Sequence, residues 1–219
     1  MADAFDMAAV TAALPDDKKT YNDNPFFGKD IPTAEYDGLT WIQKEKVDIN
    51  SKLMVLMFWG KYAKGDYRTV CDISDLAAAN PDIPFVGVSC DAEEEDAKKL
   101  LGKAGKEMAE QNIAAFKCDY NMAHDAGKKF NEAVLNLQGE NRDVTSIGAS
   151  LCFILQDGKI VWKEQFSSSW AVGQGQFIGQ LQNLKEGKDL EDNGANPVQV
   201  EEETVQGDFV DEFASGGDY

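Results

Sequence analysis

The chain has 219 residues, 43% of them hydrophobic and 27% charged, which suffices for one domain with a full core plus extensions. Its net charge of −18, from 39 acidic against 21 basic residues, argues against nucleic acid and anionic membrane surfaces as partners, since both are gripped by clustered Lys and Arg. No apolar run nears the roughly 20 residues that span a bilayer. The start "MADAFDMAAV" sets Asp3 and Asp6 where a secretory signal needs positive charge, so a cytoplasmic chain is expected.

Three regions separate by composition: an N-terminal arm over 1–30, an α/β domain over 31–187 and a tail over 188–219. The arm offers a short helix from Ala4 to Leu14, then "DNPFFGKD", which puts Phe26 and Phe27 between turn residues. These two rings are binding candidates, the alternative being an arm folded back onto its own domain.

In the domain, "LMVLMFW" (53–59) and "PFVGVSC" (84–90) are apolar runs of the kind needed by strands buried on both faces. "AAFKCD" (114–119) is a weaker third strand. "SLCFILQDGKIVWKEQF" reads as a hairpin turning at Asp157-Gly158. Helices are expected over 65–79, 93–111, 122–137 and 175–186, the second opening with three glutamates that suit the positive end of its dipole. Strands alternating with helices imply a layered α/β domain with parallel pairing and one antiparallel edge. The tail holds ten Asp or Glu residues after Lys188 with no further Lys or Arg. Within it Val205, Phe209 and Phe213 recur every four positions, as one apolar stripe on an induced helix would.

Four cysteines, Cys71, Cys90, Cys118 and Cys152, never come closer than 19 positions, so neither a zinc ribbon nor a C-x-x-C dithiol has a sequence basis. Packed core thiols are expected: Cys71 inside a helix, Cys90 ending a strand, Cys118 and Cys152 within strand patterns. His124 is the only histidine and is expected on a helix surface. "GQGQFIG" (173–179) follows "SSSW" rather than a strand, which weakens a dinucleotide reading. The tail lacks the spacing of a calcium loop. No cofactor and no metal are expected.

The order of these pieces, with "FW" closing a buried strand and "LCFILQDGKIVW" late in the chain, resembles the thioredoxin superfamily, in particular its redoxin branch, over about residues 38–186. The resemblance implies a three-layer α/β/α thioredoxin-like domain with a mixed central sheet, carrying N-terminal and acidic C-terminal extensions. Family members carry F-W-A-x-W-C-x-x-C at the redox centre. Here Phe58, Trp59, Gly60, Lys61 and Tyr62 are followed by Ala63, Lys64, Gly65 and Asp66, so the nucleophile is missing, while Asp66 can still cap the helix. The family's cis-proline is missing as well: no proline lies between 85 and 196, and the matching position is Ala149, or Gly148 if the frame slips by one.

Both losses point to a chain that is no enzyme. Taken whole, "MADAFDMAAV", "FWGKYAKGD" and the short acidic tail resemble the thioredoxin-like proteins associated with apicomplexan cortical microtubules. That resemblance implies a redox-inactive structural component of the cytoskeleton. Acidic tubulin tails repel a −18 protein, so attachment to tubulin at the lumen or through a basic companion protein is expected. Two other readings remain open. One is a single-cysteine peroxidase or thiol reductase using Cys71, whose "RTVC" misses the peroxiredoxin T-x-x-C spacing by one residue. The other is an adaptor or chaperone-like module holding peptides near Tyr62 and Ala149.

Overall fold

A computed structural model describes residues 24–60, 64–140, 144, 150–167 and 171–190, the side chains of 64–66 excepted. The Ala4–Leu14 helix and the Val205, Phe209 and Phe213 stripe fall outside the described residues. In chain order the elements are α1 (Thr33–Asp37), β1 (Thr40–Gln43), β2 (Met54–Trp59), α2 (Lys64–Ala79), β3 (Phe85–Ser89), α3 (Glu94–Leu101), β4 (Asn121–His124), α4 (Lys129–Asn136), β5 (Leu151–Gln156), β6 (Lys159–Gln165) and α5 (Phe177–Lys185).

The strands form one sheet in the order β1-β4-β3-β2-β5-β6. β2 pairs parallel with β3, and β3 with β4. β5 pairs antiparallel with β2 and β6 with β5, while β1 runs antiparallel to β4, so both edges of the sheet are antiparallel rather than one. All six residues of β2 are buried because both faces of the sheet are covered. Val55, Met57 and Trp59 join α2, α3 and α5 in one core, and Met54, Leu56 and Phe58 join α1 and α4 in the other. This is the mixed, three-layer thioredoxin-like fold.

The β5–β6 hairpin turns at Asp157-Gly158, where both residues have positive φ (50° and 77°), as a type I′ turn requires. A Cβ at Gly158 would also stand 2.8 Å from Asn50 Oδ1. The second core is closed by aromatic contacts: Phe130 of α4 stacks on Phe58 at 5.5 Å and meets Tyr36 edge-on at 5.7 Å.

Three expected elements are corrected. The 93–111 helix ends at Leu101, because Gly102 caps it and Gly105 then turns the chain at φ 76°. The third strand lies at Asn121–His124 rather than 114–119, so Cys118 sits in a connecting segment. The 122–137 helix is confined to Lys129–Asn136, since Gly127 (φ 71°) and Lys128 (φ 59°) break the backbone and the Asp125 carboxylate accepts the N–H groups of Phe130 and Asn131. His124 is therefore the buried last residue of a strand, 4% exposed, and not a helix-surface residue. Phe26 and Phe27 are folded back onto the domain. Phe26 is fully buried and packs edge-on against Phe153 at 5.2 Å, and Phe27 stacks on Trp162 at 6.3 Å, so Phe26 serves its own core and is no docking ring.

Candidate functional site

The redox position of a thioredoxin fold lies where β2 gives way to the next helix. Here β2 ends at Trp59, and Lys64, Gly65 and Asp66 form the first turn of α2. Lys61, Tyr62 and Ala63 lie outside the described residues, as do Gly148 and Ala149.

Beside this position the ends of β3 and β4 carry a buried polar group. Ser89 Oγ donates to Asp91 Oδ2 at 2.9 Å, and the Asp91 N–H returns a bond to Ser89 Oγ at 3.2 Å. His124 Nε2 lies 3.0 Å from the Asp91 carbonyl oxygen, which only accepts, so Nε2 carries the proton. A Cβ at Gly60 would meet Asp91 Oδ1 at 3.7 Å, which places this carboxylate against the segment leading to α2. The group holds the strand ends together. No cluster of three or more possible metal ligands exists among the described residues.

The thiols divide sharply by surroundings. Cys90 is half-buried on the α4 side, where Asn131 Nδ2 donates to its sulfur at 3.0 Å, and desolvation, ahead of the neighbouring carboxylates, pushes its thiol up to about 12. Cys152 is fully buried in β5. Cys71 lies two turns into α2 and keeps 9% of its surface exposed. Its sulfur accepts the backbone N–H of Lys117 at 3.3 Å. The Lys117 ammonium is held 2.8 Å from Asp75 Oδ1, one turn further along α2. Burial raises the Cys71 thiol, and Asp72 and Asp75 add to it; the Lys117 amide and ammonium pull it back, leaving Cys71 the least raised of Cys71, Cys90 and Cys118.

Cys118 follows Lys117 directly. Gln43 Nε2 of β1 donates to its carbonyl oxygen at 3.0 Å and approaches its sulfur at 3.7 Å. Burial, with Cys71 among the further causes, pushes the Cys118 thiol up to about 12. Ser74 Oγ then accepts the N–H of Asp119 at 3.0 Å. The backbone on both sides of Cys118 is thus bonded to α2, at Cys71 and at Ser74. Sequence reasoning singled out Cys71 but missed Lys117, Ser74 and Gln43, since no local pattern signals contacts between residues so far apart.

A groove of ≈ 670 Å³ runs along the same helix, lined by Arg68, Asp72, Asp75, Val172 and Ile178. Ile178 is 42% exposed, the one large exposed hydrophobic among the described residues. No helix among the described residues is long and apolar enough to cross a membrane.

The fold defines a protein of thioredoxin-like architecture. No protein-family model and no curated protein matches the sequence. Among solved structures, the chain is similar to the thioredoxin domain of a Bacteroides vulgatus thiol–disulfide oxidoreductase, at 17% identity and TM-score 0.48, covering 74% of this chain and 98% of that one. A secreted disulfide oxidoreductase of Mycobacterium tuberculosis is similar at 18% identity and TM-score 0.47, covering 68% and 97%. Peroxiredoxin Q of Xanthomonas campestris is similar at 14% identity and TM-score 0.46, covering 72% and 98%.

These names correct the expectation that the chain is no enzyme. The solved structures it resembles include thiol–disulfide oxidoreductases and a peroxiredoxin, so the missing C-x-x-C and proline do not license that negative reading. The likeness itself establishes the fold; the chemistry has to be read from this chain's own thiols.

Proposed function

We propose that this chain is a thiol reductase of the thioredoxin fold, acting on small disulfides through Cys71. One observation carries the reading. Cys71 is a helix thiol whose sulfur receives a backbone N–H at 3.3 Å beside a lysine ammonium, the polarity that a thiolate needs. Cys71 keeps only 9% of its surface exposed, which obstructs a folded protein's disulfide and confines the proposal to small ones. The Cys71 thiolate attacks RSSR, forming the mixed disulfide Cys71–S–SR and releasing RS⁻, which takes up a proton. A second low-molecular-weight thiol, R′SH, then attacks the mixed disulfide at the R sulfur. Cys71 is restored and RSSR′ leaves.

Glutathione-dependent reduction of hydroxyethyl disulfide tests this, with insulin as the protein disulfide. Turnover of the small substrate that Cys71→Ser reduces to the buffer background supports the reading. Equal turnover by wild type and Cys71→Ser overturns it.

The place of action and the partner are proposed from the whole-chain resemblance. It supports the cortical microtubule cytoskeleton, reached through the lumen or through a basic companion protein. The net charge of −18 supports that route over the acidic outer surface. Imaging a tagged chain in its native cell tests it: a filamentous cortical signal supports the placement, and a diffuse signal overturns it.

A further inference from the structure

We infer that Cys118 is the resolving partner of Cys71, so that a dithiol joining α2 to the segment before β4 stands in for the missing C-x-x-C. The inference rests on the reading of Cys71 as the attacking thiol.

Three contacts place the partner. Cys71 Sγ accepts the Lys117 amide at 3.3 Å, Ser74 Oγ accepts the Asp119 amide at 3.0 Å, and Lys117 Nζ reaches Asp75 at 2.8 Å. Cys118 is the residue between the two bonded amides, so its backbone lies along the turn of α2 that carries Cys71. Both thiols belong to the same core cluster, and each keeps 9% of its surface exposed. Cys71 is among the causes that raise the Cys118 thiol. The other cysteines are placed differently: the Cys90 sulfur contacts α4 through Asn131, on the opposite side of the sheet, and Cys152 is fully enclosed within β5. A disulfide needs Cα atoms about 4.4–6.8 Å apart. The segment carrying Cys118 lies outside the strands, held by Ser74 and Gln43 and by the backbone pairing of Phe116 with Gly105 and Lys106, and the link requires the two Cα atoms to come within that range.

The chemistry balances. After Cys71 has attacked RSSR, the Cys118 thiol gives up its proton and attacks the Cys71 sulfur of Cys71–S–SR. The Cys71–Cys118 bond forms, the Cys71–SR bond breaks, and RS⁻ takes the proton to leave as RSH. Over both steps RSSR is reduced to two RSH and the dithiol is oxidised to the disulfide. An external thiol of low molecular weight, the reductant already named, reopens it.

The test treats the full chain with glutathione disulfide and maps its peptides by mass spectrometry without reduction. The expected result for wild type is a Cys71–Cys118 linked peptide with no lasting glutathione adduct, and for Cys118→Ser a stable adduct at Cys71. The double variant Cys90→Ser/Cys152→Ser should still form the link. A wild-type chain that retains the adduct at Cys71, or links Cys71 to Cys90 or Cys152, overturns the resolving role and leaves the reductase reading standing. Absence of both adduct and link in wild type and Cys118→Ser overturns the reductase reading together with this inference.

Discussion

Cys71 and Cys90 each accept one N–H bond, yet the two regions around them are built for different ends. Cys90 takes its bond from the Asn131 side chain, on the α4 side of the sheet, where the Asp125 carboxylate also caps α4. Cys90 is half-buried and desolvation drives its thiol to about 12, so it packs and holds. Cys71 takes its bond from a backbone amide, beside an ammonium, in a segment whose next residue is a second thiol. A hydrogen bond to sulfur does not by itself make a reactive cysteine. What separates the two is the donor, a side-chain amide at Cys90 and a backbone amide at Cys71, and the smaller rise that burial imposes on the Cys71 thiol.

The comparison breaks most visibly by mutation of the thiols. Cys71→Ser should abolish small-disulfide turnover, and Cys90→Ser should leave it unchanged, in the hydroxyethyl disulfide assay. Loss of turnover in Cys90→Ser would merge the two regions into one site.

The pH dependence sharpens it next. Because burial holds the Cys71 thiol above its ordinary value, the thiolate is a small fraction at neutral pH, and the alkylation rate of Cys71 should rise about tenfold per pH unit from pH 7 to pH 8. A flat profile would mean a thiol already ionised. Folding stability follows the same burial. The thiols of Cys90 and Cys118 lie at about 12 in the folded chain and near their ordinary value when unfolded. Their contribution is full below that ordinary value and lost as pH rises toward 12, because the unfolded state releases protons first. Urea midpoints should therefore fall as the pH is raised above about 9.

Smaller effects should stay on one side of the divide. Asp125→Ala removes the carboxylate that caps α4 and should cost about 0.5–2 kcal/mol in urea unfolding, with turnover per folded molecule unchanged. Lys117→Gln should do the reverse. Its exposed ion pair with Asp75 contributes little to stability, but losing the cation lifts the Cys71 thiol further and slows turnover at pH 7 by a few-fold.

Much of the fold was legible because burial on both faces writes itself as uninterrupted apolar runs. Met54–Trp59 and Phe85–Ser89 read directly, and Asp157-Gly158 announced the hairpin through its turn chemistry. The stretch between α3 and α4 was misread for physical reasons. An amphipathic pattern opening on three glutamates continues past Leu101, but Gly102 and Gly105 end the helix. β4 is only four residues long, and its last residue, His124, is buried against Asp91 by contacts that no local pattern encodes. The candidate site shows the same limit. The sequence reveals that alanine and aspartate stand where C-x-x-C belongs, but bringing Cys118 beside Cys71 depends on Ser74, Gln43 and Lys117.

The most direct test of Cys71 as the reacting thiol is a time course of glutathione incorporation at each cysteine of the native full chain. Reaction at Cys71 ahead of Cys90 and Cys152, as a transient adduct or as the linked peptide that succeeds it, is the expected order. Modification of Cys90 first, or uniform slow reaction at all four cysteines, would contradict the account.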